Sequence, residues 1–270
     1  MILRFEYKSV SRFKPAVKEH AFLLRSKPFV SDNQRIIDFG LEVKGCPKLS
    51  EQTDSFGNTI FFGGVKEEHD EFCVLSHGIV ETTDCQYVAS DSQNVNTPNP
   101  VFLYPSPLVI LDEEINDFAS GFRAETVEKT VQNLCAAVNG KIAYQSGTTD
   151  VLTDSSTVVR QQSGVCQDIA HVFIAALRSL KIPARYVAGY VRGLRLSHAW
   201  TEVYYNGCWH GYDATENICE LAHYIKIAHG RDASDCPLNR GIFTGTAVEN
   251  NEIEINVEND YDHFFGGAAR

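Results

Sequence analysis

The chain has 270 residues and carries 24 Lys and Arg against 35 Asp and Glu, a formal net charge of -11. That length suits one large or two ordinary domains, either of which can bury a proper core. The acidic balance, without a basic run, argues against nucleic acid or an anionic membrane surface as partner, since both reward clustered Lys and Arg; no stretch approaches the ~20 apolar residues of a membrane-spanning helix.

The opening MILRFEYKSV alternates apolar and polar residues and reads as a strand, not a signal peptide, so a cytoplasmic location is expected. Short alternating runs follow at HAFLLRS, RIIDFGLEVK and TIFFGGV, then the longer EFCVLSHGIVET. Phe56-Gly57-Asn58 marks a tight hairpin between TDS and TIFF. Strands at this spacing predict a β-sandwich-like N-terminal domain over residues 1–95. His20, His69 and His77 stand alone in it and read as packing or surface histidines. Between Ser90 and Leu108 the composition shifts to SDSQNVNTPNPVFLYPSPL, rich in Pro, Asn and Ser, which sets the domain boundary and starts a second domain at residue 96.

LDEEINDFASGF and ETVEKTVQNLCAAVNG read as helices, the second with Val127, Val131, Leu134 and Val138 as its apolar stripe. In SGVCQDIAHVFIAALRSLKIPARYV, Ser163 is the expected N-cap. Cys166, Ile169, Phe173, Leu177 and Leu180 then form one buried stripe, and Pro183 ends the helix. A thiol at the head of a helix sits where free backbone N–H groups favour an anion. ARYVAGYVRG, SHAWTEVYYNGCWHGYDAT, HYIKIAHGRD and EIEINVEND then alternate like strands, so helices precede a mostly antiparallel sheet and the fold class is α+β. The tail FFGGAAR is expected to fray. Eight cysteines (46, 73, 85, 135, 166, 208, 219 and 236) show no metal-binding spacing and read as reduced, with no metal or other cofactor implied.

Asn206-Gly207 is a two-residue hairpin signal that places Tyr205 opposite Cys208 and Asp213 opposite Trp200. Side chains alternate along a strand, so His198 shares the face of Trp200 and becomes a diagonal neighbour of Asp213, unless a bulge spoils the parity. Cys166 as nucleophile, His198 as general base and Asp213 as its orienting carboxylate would then transfer an acyl group through a thioester. The Cys166 backbone N–H is one oxyanion donor, and Tyr144, Gln161 and Gln162 are side-chain candidates. Trp200 could wall the cleft. Asp168 and His171 read as structural, and Arg231 as a partner of Asp232 or Asp235.

The order GVCQDIAH, LRSLKIPARYVAGYV, SHAWTEVY, GYDATEN resembles the catalytic core of the transglutaminase-like superfamily, within the broad papain-like cysteine fold. YIKIAHGRDASDCPLNRGIFTG resembles the segment that follows in bacterial members. TDSFGNTIFFGGV with EEHDEFCVLSHGIVE resembles their β-rich N-terminal domain. The resemblance puts the family's triad on Cys166, His198 and Asp213. It departs at Ala214, where the family usually has proline, and at the absence of a clustered acidic loop, so calcium dependence is not carried over. It implies a transglutaminase-like cysteine protease or amidohydrolase acting on a peptide, isopeptide or other amide of a peptide or protein substrate. The alternatives are a cross-linking protein-glutamine acyltransferase and a peptide-binding module with little turnover.

Overall fold

The computed structural model describes residues 1–46, 48–83, the backbone of 87–88, and 99–260. Cys85, most of the predicted Pro-rich boundary, including the division at 95/96, and the FFGGAAR tail lie outside the described residues.

One strand, β1 (Ile2–Leu24), organises the N-terminal half. In its first half Leu3, Phe5, Tyr7 and Ser9 alternate inward, as period-two patterning demands. Two separate strands are predicted here; instead the chain continues through SRFKPAVKE, because the ladder to its neighbour shifts register between Arg12 and Val17. Pro15 falls inside that irregularity, where its missing N–H breaks no bond to this neighbour. β1 pairs with β5 (His69–Thr82) and β4 (Thr59–Val65), which are flanked by β2 (Gln34–Val43) and β3 (Ser50–Thr53) in the order β2-β5-β1-β4-β3. Gly57, with φ +86°, turns the β3–β4 hairpin while the Asp54 carboxylate accepts the Phe56 and Asn58 backbone N–H groups.

β13 (Asn239–Thr244) and β14 (Val248–Asn259) return to this same seven-stranded sheet. β14 pairs with β1 from Leu3↔Asn259 to Lys14↔Val248. EIEINVEND therefore does not join the second sheet, as its place in the chain suggests. Ile255 and Val257 instead bury their apolar face beside Phe5 and Tyr7.

The helices are α1 (Glu113–Ser120), α2 (Val127–Lys141), α3 (Ser155–Gln161) and α4 (Cys166–Ser179). The short α3 is not among the predicted helices; Asp154 caps it through the Thr157 N–H. Every residue of α4 from Asp168 to Arg178 is buried, the pattern of a central helix enclosed on all sides. The short strands β7 (Ala143–Tyr144) and β8 (Ser163–Gly164) run parallel just ahead of α4. A five-stranded antiparallel sheet lies beside α4. It is ordered β12 (Tyr224–Gly230), β9 (Ala184–Val191), β10 (His198–Tyr205), β11 (Cys208–Tyr212) and β6 (Tyr87–Val88). One face of it packs on the helices through Ala184, Tyr186, Ala199 and Val203. Farther along, Tyr190 of β9 together with Ile225 and Ile227 of β12 joins the apolar cluster of the N-terminal sheet. The fold is thus α+β, as expected, with the predicted N-terminal β-sandwich realised as one curled seven-stranded antiparallel sheet set against a core of helices and a five-stranded antiparallel sheet. Among the described residues no helix is long and apolar enough to cross a membrane, and the seven described cysteines are free.

Arg178 is fully buried in α4 and donates to the carbonyls of Tyr104, Ala184 and Arg231. Three backbone acceptors from separate segments are satisfied by one planar donor, which locks the helix to the sheet and to the segment that enters the core.

Candidate active site

Cys166 opens α4. The helix begins later than Ser163 predicts: the cap is Val165, in extended conformation, and its N–H donates to Asp168 Oδ2 at 2.8 Å. The same oxygen accepts the Thr149 hydroxyl at 2.6 Å, so buried Asp168 ties the 145–154 segment to the helix start. As the first helical residue, Cys166 keeps a backbone N–H without an intrahelical acceptor, available for an oxyanion.

The hairpin forms in the register that Asn206-Gly207 predicts. Both residues have positive φ, 52° and 83°, as a type I′ turn requires, and Tyr205 faces Cys208. The ladder runs without a bulge to Thr201↔Tyr212 and stops one residue short of Asp213. There Asp213 instead exchanges two backbone hydrogen bonds with Ile218. The turn between them is held by the Thr215 N–H on Asp213 Oδ1 at 2.8 Å and by Asn139 of α2, whose amide donates to the Ala214 and Thr215 carbonyls. This anchoring from α2 holds the turn at which Ala214 replaces the family's usual proline.

His198 Nε2 lies 2.6 Å from Asp213 Oδ2, and the Cys166 side chain is near enough to the imidazole to favour its protonated form. With Nε2 engaged, Nδ1 is the nitrogen left for the sulfur. Burial lowers the imidazole's affinity for its proton, but Asp213 and Cys166 outweigh it and push His198 up to about 10, an imidazolium at neutral pH. Burial likewise pushes the Asp213 carboxyl up; the His198 and Tyr224 side chains and the Thr215 N–H outweigh it and hold it below the usual carboxylate range. An imidazolium beside a sulfur is the environment in which a thiol becomes a nucleophile.

Tyr224, on β12, was not singled out by sequence. Its hydroxyl donates to Asp213 Oδ2 at 2.7 Å, the same oxygen that meets His198, and its ring stands edge-on to those of His198 and Trp200. β12 reaches Asp213 only through the sheet order β12-β9-β10-β11, which no local spacing reveals.

Cys166 and His198 open into a cleft of about 780 Å³ between the core and the N-terminal sheet. Tyr144 lines it, close enough that burial first and the Cys166 charge second raise its phenol. Gln161 and Gln162 do not line it. The Gln161 amide donates to the Ser163 carbonyl, and Gln162 is the left-handed C-cap of α3. Trp200 does not wall this cleft either. Gly189, paired with His198, leaves room for the Trp200 indole, which a Cβ there would meet at 2.6 Å. The indole packs on Tyr224 and lines a separate cavity of about 270 Å³. His20, expected to be a packing or surface residue, packs edge-on against Phe13, Phe22 and Phe72 and also lines the far wall of the cleft beside Tyr7, Ser9 and Ser11. His171 is buried, accepts the Ala233 N–H at 3.1 Å and lies outside the cleft lining, and Arg231 pairs with Asp235 at 2.8 Å.

A buried helix that presents a thiol at its start, against an antiparallel sheet that presents a carboxylate-bound imidazole, defines the papain-like class of cysteine folds. The sequence profile of the Transglutaminase-like superfamily matches residues 116–214, and that of the Bacterial transglutaminase-like N-terminal region matches residues 3–81. The chain belongs to the transglutaminase-like superfamily and carries the bacterial N-terminal region ahead of its core. It is 26% identical to the crystal structure of a "Putative Cysteine Protease" from Cytophaga hutchinsonii, with a TM-score of 0.79 over 97% of this chain and 92% of that one. It is 26% identical to an uncharacterized protein of Mycobacterium leprae, over 86% of this chain and 90% of the relative. An uncharacterized protein of Mycobacterium tuberculosis is 27% identical over 86% of this chain and 83% of its own.

Proposed function

We propose that the chain is a cysteine-dependent amide hydrolase that works through a thioester on Cys166. The observation that carries this reading is His198 bound to buried Asp213 in the same cleft as Cys166 at the start of α4. In the first half-reaction Cys166 Sγ adds to the carbonyl carbon, and the Cys166 backbone N–H takes the developing oxyanion. His198 then gives its proton to the departing amine as the C–N bond breaks. In the second half-reaction His198 takes a proton from water, the hydroxide adds to the thioester carbonyl and displaces the Cys166 thiolate, and the acid leaves with the imidazolium restored. Asp213 stays ionised throughout and holds the imidazole's orientation. Water is the favoured acceptor, because amine transfer needs an acceptor site that competes with bulk solvent.

The test is the pH dependence of iodoacetamide alkylation, read by peptide mass spectrometry at every cysteine. Cys166 is expected to react ahead of the other cysteines at neutral pH and to lose that advantage in His198→Ala. A Cys166 whose reactivity is indifferent to His198 overturns the reading. With a substrate in hand, Cys166→Ala is expected to abolish the acyl-enzyme and leave the fold intact.

A further inference from the structure

Among the described residues fourteen large apolar side chains are exposed, and five of them gather round the cleft that holds Cys166 and His198. Tyr144, Val151 and Leu152 come from the segment between α2 and α3, exposed by 59%, 74% and 77%. Leu196 and Ile253, exposed by 64% and 43%, come from the loop before His198 and from β14. Scattered apolar residues on a surface need no explanation, but a cluster around a reactive thiol does.

The exposure is built into the backbone. Asp150 accepts the Leu152 N–H at 2.9 Å and the Thr153 hydroxyl at 3.0 Å, and its own N–H donates back to Thr153 Oγ1. Thr149 fastens the same segment to Asp168. The turn's polar groups are satisfied within it, so Val151 and Leu152 are held outward at little further entropic cost to a ligand. On the other side the Ile255 N–H donates to the Arg195 carbonyl, which docks the Leu196 loop on β14. Besides the histidines, among the described residues only Arg240 and Glu249 bring a charged side chain to the cleft, one of each sign.

We propose that these five residues form an apolar collar for the acyl donor, and that the substrate is a peptide amide with apolar side chains on both flanks of the scissile bond. The inference rests on the acyl-transfer reading, since the thiol in the cleft says what occupies it. The five collar residues carry no charge and give a charged side chain seated on them no partner to offset its desolvation, while an apolar one covers surface now wet.

The test uses the full chain and vinylogous dipeptides, in which an electron-poor alkene replaces the scissile amide. Cys166 Sγ adds to one alkene carbon and a proton from the site or solvent to the other. Three probes carry Leu, Asp or Lys on both flanks, and the rate of Cys166 adduct formation is read by mass spectrometry. The Leu probe is expected to react at least about tenfold faster than either charged probe, the scale on which apolar pockets discriminate. In Leu152→Asn and in Leu196→Asn the Leu-to-Lys rate ratio is expected to fall about tenfold. The ratio is taken within each variant, so that a general change in thiol reactivity cancels. Equal rates for the three probes, no reaction with any of them, or a ratio that survives in either variant overturns the two-sided collar. Loss of His198-dependent iodoacetamide reactivity overturns the acyl-transfer reading instead, and the two failures are distinguishable because iodoacetamide carries no flanking side chain.

Discussion

On one wall of the cleft, Cys166 and His198, with buried Asp213 behind the imidazole, all come from residues 166–213, set by one helix start and one two-residue hairpin. On the other wall, Tyr7, Ser9 and Ser11 stand beside Asn251 and Ile253, brought together by the β1–β14 ladder from residues far apart in the chain. The first wall depends on local rules of turn and strand. The second depends on a pairing whose loop-closure cost only a completed core repays. A cleft built this way couples chemistry that is locally specified to a recognition surface that exists only in the finished fold.

The largest test of that contrast removes the second wall. Deleting residues 1–95 would strip β14 of its partner and uncover Tyr190, Ile225 and Ile227, each worth about 1.5–3 kcal/mol when buried. The expected outcome is an insoluble core, read from soluble yield. A folded, soluble core that has lost only its activity on large substrates would show that the N-terminal sheet recognises without supporting. On the first wall, His198→Ala is expected to lower kcat by roughly 10⁶-fold and Asp213→Asn by about 10⁴-fold, with circular dichroism unchanged, because members of such a constellation act as a unit.

A smaller effect is expected from His171, which anchors α4 to the loop at Ala233. Burial first, and Arg178 in addition, lower it to about 4 although Asp232 pulls the other way. The unfolded chain therefore takes up a proton near pH 6.5 that the folded chain refuses until about 4. Stability should fall as pH drops through that window, by about 3 kcal/mol in all, and His171→Asn should flatten the dependence in urea titrations. The smallest effect sharpens the first wall: Tyr224→Phe removes one hydrogen bond to a charged carboxylate, worth about 1.5 kcal/mol. A positioning role predicts roughly tenfold in kcat, a KM that stays put and an altered pH profile. A purely structural role would lower stability and leave the pH profile unmoved.

Sequence reading succeeded where one element carried the information. Asn206-Gly207 admits essentially one turn, so the parity that brings His198 to Asp213 followed from counting residues along two strands. Ser163 misled because Asp168, reaching back to Val165, caps α4 from within and starts it at Cys166 itself. Gln161 and Gln162 misled because nearness in sequence to Cys166 says nothing of direction: one side chain is spent on Ser163 and the other residue turns the chain out of α3. Trp200 misled because a strand's face is legible but what covers it is not, and Tyr224 from β12 covers it here.

The sequence by itself determined the helix that begins near Cys166, the hairpin register, the α+β order of elements and the family, all of them properties of short stretches and their succession. Only the tertiary structure decided that β14 closes against β1, that Tyr224 meets Asp213, and that an apolar rim surrounds the thiol. Those features depend on which strands become neighbours, a choice made by the burial of whole sheet faces and not by any residue's local preference.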